Sequence, residues 1–411
     1  MIEWFKIAWR NVLRNHRRSI VAISTVAIIT SSLLLSYGYI NFTFFGLSNN
    51  IVNGGLGNMQ IADNRLWESF ESTPLEFGMS NKKADELIVD LEKNKDVKRA
   101  MKRLLFSGIA SNGEISTIFS GTGLENKKER LLQSRSLVES IISGTILRNT
   151  DKNPYQVLLA KDLASKLQAN IGDNITLLST TIYGSINAID VIVKGIYDSG
   201  IPDTNLIELK TPLALAQELM LTEKVSRIVV QLENLDATEK VLPEIKNIIS
   251  DDVGVRTWYQ LAPYFRSVEN IYYSIFTVMT TILLILSLLS INNVMTTSVN
   301  ERMQEIGTLR AFGITKKDIK LNFIFEGLII GFSGTLIGSL LGFIIAFTVS
   351  QSGYMMPPPP GRSQGYPLIF MLTINSTLII AFGSSILAML ASYLPISKAL
   401  RKKVVDQLNY V

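Results

Sequence analysis

The chain has 411 residues, 47% of them hydrophobic and only 18% charged, against about 25% charged in soluble domains, and its mean hydropathy is +0.26. This composition excludes a disordered, collagenous or disulfide-stapled chain and points to a membrane protein; with no cysteine and a single histidine, His16, it leaves no thiol catalysis, no Cys- or His-built metal centre and no Ser/His/Asp triad. The net charge of +5 is a sum of +9 over residues 1–46 and 271–411 and −4 over 47–270, which is not the pattern of a nucleic-acid binder.

In chain order, residues 1–18 carry Lys6, Arg10, Arg14, Arg17 and Arg18 against Glu3. Four stretches then lack any Asp, Glu, Lys or Arg: 19–62, 270–300, 327–361 and 363–397. Each exceeds the roughly 18–20 residues that cross a hydrocarbon core of about 30 Å. The predicted transmembrane helices are 19–46, 271–299, 322–350 and 372–396. The first apolar run is longer than the roughly 7–15 residues of a signal-peptide core and reads as an uncleaved anchor. Between the first two spans, 47–270 reads as one α+β domain. Helical spacing covers 81–95, 159–169 and 212–221; runs at 174–178, 188–196 and 227–232 read as strands, with Gly172-Asp173 as a turn. The expected fold is therefore a membrane protein of four transmembrane α-helices with a large α+β extracytoplasmic domain between helices 1 and 2.

Orientation follows from Lys and Arg placement. Basic residues gather in 1–18, in 300–321 (Arg302, Arg310, Lys316, Lys317, Lys320) and in the tail 397–411 (Lys398, Arg401, Lys402, Lys403), whereas the loop 351–371 holds only Arg362. Both termini and 300–321 are expected in the cytoplasm, beside an anionic inner leaflet, and 47–270 outside. The loop 351–371 also carries Met355-Met356-Pro357-Pro358-Pro359-Pro360-Gly361, a stiff polyproline segment that serves as a cap over helix ends or as a contact surface.

No Gly-Lys dipeptide occurs, so the Walker A phosphate loop is absent; Gly121-Thr122-Gly123 ahead of Lys127 and Lys128 does not replace it. No catalytic and no metal-binding residue is assigned. The informative stretch is NERMQEIGTLRAFGITKKDI, residues 300–319. Glu301 and Glu305 fall on one helical face with Arg302 beside them, and Ile306, Leu309 and Phe312 form an apolar strip. Gly307 permits close backbone packing, Arg310 follows it, and Gly313 suits a left-handed cap. The stretch is either a solvated loop or a docking element for a partner. Glu326, opening the third span, is costly unless it stays near the interface or finds a partner; pairing with a Lys or Arg, a role in coupling and proton relay are the alternatives. Gly331, Gly334, Gly338 and Gly342 form a close-packing stripe. Phe42, Phe44 and Phe45 end the first span and Tyr272, Tyr273 and Phe276 begin the second, as an aromatic belt or as the wall of an apolar cavity.

The pattern E-I-G-x-L-R-A-x-G after a second transmembrane helix resembles the FtsX-like permease family, which includes the MacB and LolC/LolE types. Ala8-Trp9-Arg10-Asn11-Val12-Leu13-Arg14-Asn15 is similar to the amphipathic N-terminal segment of that family. Leu158-Leu159-Ala160-Lys161-Asp162-Leu163-Ala164, Gly172-Asp173 and Val193-Lys194-Gly195-Ile196 are similar to its MacB-like periplasmic core, and Tyr393-Leu394-Pro395-Ile396-Ser397-Lys398-Ala399 to the end of its fourth span. Val404-Val405-Asp406-Gln407-Leu408 departs from the family's tail, which usually has a proline there.

The resemblance implies a non-catalytic permease subunit of an ABC transporter of MacB/LolCDE type in the cell inner membrane. It binds no cofactor itself; ATP and Mg enter through two copies of a separate cytoplasmic ABC ATPase. Further expected partners are a second permease copy or a paralogue and a periplasmic carrier or adaptor. The expected substrate is a lipoprotein or another lipidated or amphipathic molecule. The implied ATPase-coupling residues are Glu301, Arg302, Glu305, Ile306, Gly307, Leu309, Arg310 and Gly313, within a coupling helix over 300–321. The implied substrate cavity is walled by Phe42, Phe45, Tyr273 and Phe276 at a dimer interface, with the first two spans continuing outward as a stalk. Two alternatives stand beside this reading: an FtsX-type mechanotransmitter regulating a cell-wall hydrolase, and a drug or peptide efflux permease.

Overall fold

A computed structural model describes residues 2–68, 77–125, 128, 140–147, 153–358 and 365–409. Lys127 and, of the proline run, Pro359, Pro360 and Gly361 lie outside the described residues, as does Arg362. The chain divides into a membrane unit (Met1–Phe44, Val268–Met356 and Pro367–Val411) and an outer unit (Phe45–Ser267 and Pro357–Tyr366).

Among the described residues, four helices are long and apolar enough to cross a membrane: His16–Leu56, Pro263–Glu301, Lys316–Gln351 and Ile374–Ala399. They coincide with the charge-free windows, but their ends are set by turn chemistry. The first begins at His16, not 19, directly after the N-terminal helix Ile2–Arg14. Ser19 Oγ donates to the Val12 carbonyl at 2.9 Å. Seven residues along a straight helix rise about 10.5 Å, so the chain bends sharply around Asn15. The third begins at Lys316, not 322, because the Thr315 side chain accepts from the Asp318 N–H at 3.3 Å and caps it there.

Within the membrane unit the glycine stripe of the third span is where backbones meet. A Cβ added at Gly331 would lie 2.7 Å from the Ala388 Cβ of the fourth span. At Gly334 it would lie 2.6 Å from the Val26 Cβ and at Gly338 2.9 Å from the Ala27 Cα, both of the first span, while at Gly342 the nearest atom stands at 3.5 Å. Between them Ala22, Val26, Ile291, Met295, Ile329, Ile330, Ala388 and Ala391 form a buried core that also takes in Ala8 and Val12 of the N-terminal helix. Without a hydrophobic force between helices in lipid, such close approach is the main source of packing attraction.

Among the described residues, the outer unit is built on a ten-stranded mixed sheet. Its strands are β1 (Met59–Asp63), β3 (Val97–Ser111), β4 (Ser116–Leu124), β5 (Ser140–Gly144), β6 (Gln156–Ala160), β7 (Asn174–Thr180), β8 (Ile186–Asp198), β9 (Glu208–Pro212), β11 (Arg227–Leu232) and β12 (Val253–Thr257); β2 (Met79–Ser80) and β10 (Lys224–Val225) pair separately. The order is β12-β1-β11-β3-β4-β9-β6-β8-β5, with β7 joined to β3 and β8. Strands β1, β3, β11 and β12 with helices Asn81–Leu91 and Thr238–Ile248 form a split βαββαβ layer over one buried core. The remaining strands are inserted between β3 and β11 and enclose a second core. The helix expected over 159–169 is corrected: Gln156–Ala160 is a buried strand and only Lys161–Lys166 is helical. A fully buried strand loses the alternation that would announce it. The helix expected over 81–95 stops at Leu91.

At the end of β8, burial alone would raise the carboxyl of Asp198, but Lys161 Nζ, Asn205 Nδ2 and the Gly200 N–H, each at 2.8 Å, outweigh it and hold Asp198 well below the usual carboxylate range. The unfolded chain takes up this proton near pH 4 and the folded chain does not. The stabilisation is therefore whole above about pH 4 and declines as pH falls below it, down to the lower value of the folded state. Asp198→Ala should loosen β6 and β9 by about 2–3 kcal/mol at neutral pH, read as faster hydrogen exchange at 156–160 and 208–212 in the full chain. The wild type should acquire the same exchange only in acid.

Candidate functional site

The basic end of the membrane unit gathers the N-terminal helix, the end of the second span, the start of the third and the C-terminal residues. The second span stops at Glu301, and Arg302 leaves helical geometry (φ −101°, ψ 16°) before a separate helix, Met303–Ala311. The coupling helix expected over 300–321 is thus corrected to nine residues, followed by a turn and the third span. Gly313 (φ +86°) makes that turn, its N–H donating to the Arg310 carbonyl at 3.1 Å and the Ile314 N–H to the Leu309 carbonyl at 3.1 Å. This left-handed position suits glycine.

The break at Arg302 turns its side chain inward. Nη1 donates to Glu326 Oε1 at 2.7 Å, Nε to Glu305 Oε2 at 3.0 Å, and the guanidinium lies 4.9 Å from the Phe323 ring centroid. Glu326 is 4% exposed. Its Oε1 also accepts from Asn11 Nδ2 at 2.8 Å and Asn322 Nδ2 at 3.3 Å. A carboxylate at this depth is tolerable only when paired and hydrogen-bonded, and here the break after the second span, the third span and the N-terminal helix each supply a partner. Two exposed ion pairs flank it: Arg14 with Glu305 at 3.4 Å, and Arg18 with both oxygens of Glu301. Each is worth less than about 1 kcal/mol on its own.

The short helix is held from its other side by the C-terminal helix Val404–Leu408. A Cβ at Gly307 would lie 3.1 Å from the Gln407 Cβ. Arg310 Nη1 donates to Gln407 Oε1 at 2.7 Å and to the Lys402 carbonyl at 2.9 Å. Ile306 joins a buried cluster with Val299, Met303, Ile319, Phe323, Ile396, Ala399 and Leu400. The expected strip therefore divides. Ile306 and Gly307 are buried and Arg302, Leu309 and Arg310 half-buried, all engaged within the chain, whereas Glu301, Glu305 and Gly313 face outward. The open face of the helix comprises Gln304, Glu305, Thr308 and Ala311 and ends at Phe312, which is 83% exposed. Glu326 finds the arginine partner anticipated from its position; Asn11 and Gln407 were not assigned to the site from the sequence. The signal for Asn11 was its place, three residues from Ala8 and four from Asn15, on a side of the N-terminal helix that carries no charge.

In the halves of the first two helices away from the basic end, and inside the helices instead of at the ends expected from the sequence, Phe42 and Phe276 are half-buried and Tyr273 is exposed. Phe44, 7% exposed, joins the spans with its ring centroid 5.6 Å from Tyr272 in an edge contact and 5.7 Å from Tyr273 in a stacked one. Phe276 meets Tyr37 at 6.4 Å. Phe45, the first residue of the outer unit, is 46% exposed.

Residues 19–248 match the MacB-like periplasmic core domain, and residues 277–404 the FtsX-like permease C-terminal domain. The chain is 24% identical over 276 residues to the lipoprotein-releasing system transmembrane protein LolC of Neisseria meningitidis serogroup B, covering 62% of this chain and 65% of that protein. It is 23% identical over 260 residues to the uncharacterized ABC transporter permease YknZ of Bacillus subtilis, covering 60% of this chain and 61% of that one. It thus spans under two thirds of the length of these relatives. The crystal structure of the periplasmic region of MacB from Actinobacillus actinomycetemcomitans aligns with 52% of this chain and 95% of its own length, at 15% identity and a TM-score of 0.36. With over half of its length matched by the periplasmic core and the FtsX-like region following it, the chain belongs to the family of FtsX-like permeases that carry a MacB-like periplasmic core domain.

Proposed function

We propose that this chain is the non-catalytic permease subunit of an ABC transporter and that the helix Met303–Ala311 is its coupling element. One observation carries the reading. A short helix at the basic end is fixed from within by Arg302, Ile306 and Gly307, yet leaves one face and the ring of Phe312 uncovered. That open face docks on an ABC ATPase, whose phosphate loop these 411 residues do not contain. ATP and Mg act there, and two ATPase copies serve this permease and a second copy or paralogue of it. The basic end lies in the cytoplasm and the outer unit in the periplasm of the inner membrane, by the Lys and Arg asymmetry. The likeness to LolC favours a lipidated or amphipathic substrate, passed to a periplasmic carrier; Phe42, Phe45, Tyr273 and Phe276 remain the residues proposed to meet it. Force would travel from the docked helix through Arg302 and Glu326 to the third span and the N-terminal helix.

Phe312→Asp tests the docking face, since it replaces a solvent-exposed ring and leaves the fold unloaded. Stimulation of the partner ATPase should fall at least tenfold, equivalent to about 1.4 kcal/mol, with unchanged thermal unfolding of the permease. Full stimulation in this variant would remove the helix from the interface. Orientation is checked separately in the cysteine-free chain. Thr315→Cys should react with an impermeant thiol reagent only after the inner membrane is opened, and Ser116→Cys in intact spheroplasts; the reverse pattern inverts the proposed topology.

A further inference from the structure

The N-terminal helix Ile2–Arg14 has three sides, and the coupling reading uses only one of them. Ala8, Asn11 and Val12 are buried against the bundle. A second side, at four-residue spacing, carries Phe5, Trp9 and Leu13, which are 42%, 48% and 60% exposed. Lys6, Arg10 and Arg14 form the third, again four residues apart, and all are exposed; Arg17 is exposed just past the bend. Residues four apart share a helix face, so apolar and cationic strips run side by side along the outer surface of this helix. Among the described residues, Arg10 and Arg17 enter no ion pair, whereas Arg14 and Arg18 are committed to Glu305 and Glu301.

The bend at Asn15, fixed by the bond from Ser19 to the Val12 carbonyl, places this helix at the mouth of the first span. Ile20 and Val21 of that span are 58% and 57% exposed, as residues facing acyl chains are. A strip of Phe, Trp and Leu beside a strip of Lys and Arg, at the end of a membrane-crossing helix, is complementary to one surface. The rings and the leucine enter the acyl boundary, and the guanidiniums meet phosphate at headgroup level. We infer that the N-terminal helix is a binding site for anionic phospholipid, with Arg10 and Arg17 as headgroup ligands and Phe5, Trp9 and Leu13 as the acyl-chain contact. An acidic protein surface could satisfy the arginines, but it would leave the exposed apolar strip of Phe5, Trp9 and Leu13 without an apolar partner. The inference does not depend on the ATPase.

The test uses the full chain in nanodiscs. Leu13→Cys, the sole cysteine, carries an environment-sensitive fluorophore, and doxyl-labelled phosphatidylglycerol is compared with doxyl-labelled phosphatidylcholine at equal mole fraction as quencher. Each surface arginine strengthens attachment to an anionic surface about fivefold, so phosphatidylglycerol should be concentrated at the label by roughly an order of magnitude over bulk. Arg10→Gln/Arg17→Gln should bring the two quenchers to parity, and Arg10→Lys/Arg17→Lys should keep most of the preference. Retained quenching by phosphatidylcholine in the glutamine variant shows that the helix is still folded and seated. Equal quenching by both lipids in the wild type, a preference that survives the glutamine pair, or loss of all quenching would overturn the assignment of these arginines as headgroup ligands.

Discussion

Glu326→Ala should be the most damaging single change in the membrane unit. It deletes the acceptor shared by Arg302, Asn11 and Asn322 and leaves the half-buried guanidinium of Arg302 with only the exposed carboxylate of Glu305 among its partners described above. Removing one partner of such a pair costs about 3–5 kcal/mol, whereas replacing both charges by apolar groups is often close to neutral. Glu326→Ala should therefore lower the thermal unfolding midpoint in detergent more than the double variant Glu326→Met/Arg302→Met does. Both variants should lose ATPase stimulation if Arg302 is the joint between the short helix and the third span. A double variant that unfolds earlier than the single one would show that the charges are not acting as a pair.

The second large effect belongs to the glycine stripe, and it should be graded along one helix by one substitution. At Gly338 a methyl group would press on the backbone of Ala27, 2.9 Å from its Cα. Backbone cannot move aside as a side chain does, and overpacking of this kind costs about 1–3 kcal/mol. At Gly342 the nearest atom is 3.5 Å away, an ordinary contact, and alanine there gains up to about 1 kcal/mol of helix propensity over glycine. Gly338→Ala should destabilise and Gly342→Ala should be neutral or stabilising, measured as unfolding midpoints of the two variants in the same detergent. Equal midpoints would mean that the first and third spans do not touch along this stripe.

The parts legible in the sequence were those governed by one variable. Absence of charge located the four spans, because a hydrocarbon core penalises every ionised side chain alike. Gly313 was readable because cap geometry is local, whereas the Glu301–Glu305 spacing misled: the helix breaks at Arg302, so Glu301 closes one helix and Glu305 belongs to the next. The inward turn of Ile306 and Gly307 was not readable. In a nine-residue helix with apolar and polar residues on every side, periodicity does not say which face is covered; that is decided by Gln407, about one hundred residues away. Nor could the aromatic cluster single out Phe44 over Phe42 and Phe45. Their side chains are separated only by rotation about the helix axis, and the contact with Tyr272 and Tyr273 selects one of them. In the outer unit, the buried strand Gln156–Ala160 was hidden by the helix-forming run that follows it.

The partners of Glu326 also bear on how the protein is made. Asn11 lies 315 residues earlier in the chain and Arg302 lies 24 residues earlier. Synthesis runs from the N-terminus, so both donors exist before the carboxylate leaves the ribosome. The third span is therefore delivered to a surface already bearing the groups that neutralise Glu326, its buried acidic residue, and lateral release into lipid need not wait for a later segment. Moving the N-terminal helix to the C-terminus by circular permutation would preserve the donor set while reversing that order. Such a chain should insert its third span poorly, even though the finished molecule would contain the same bonds.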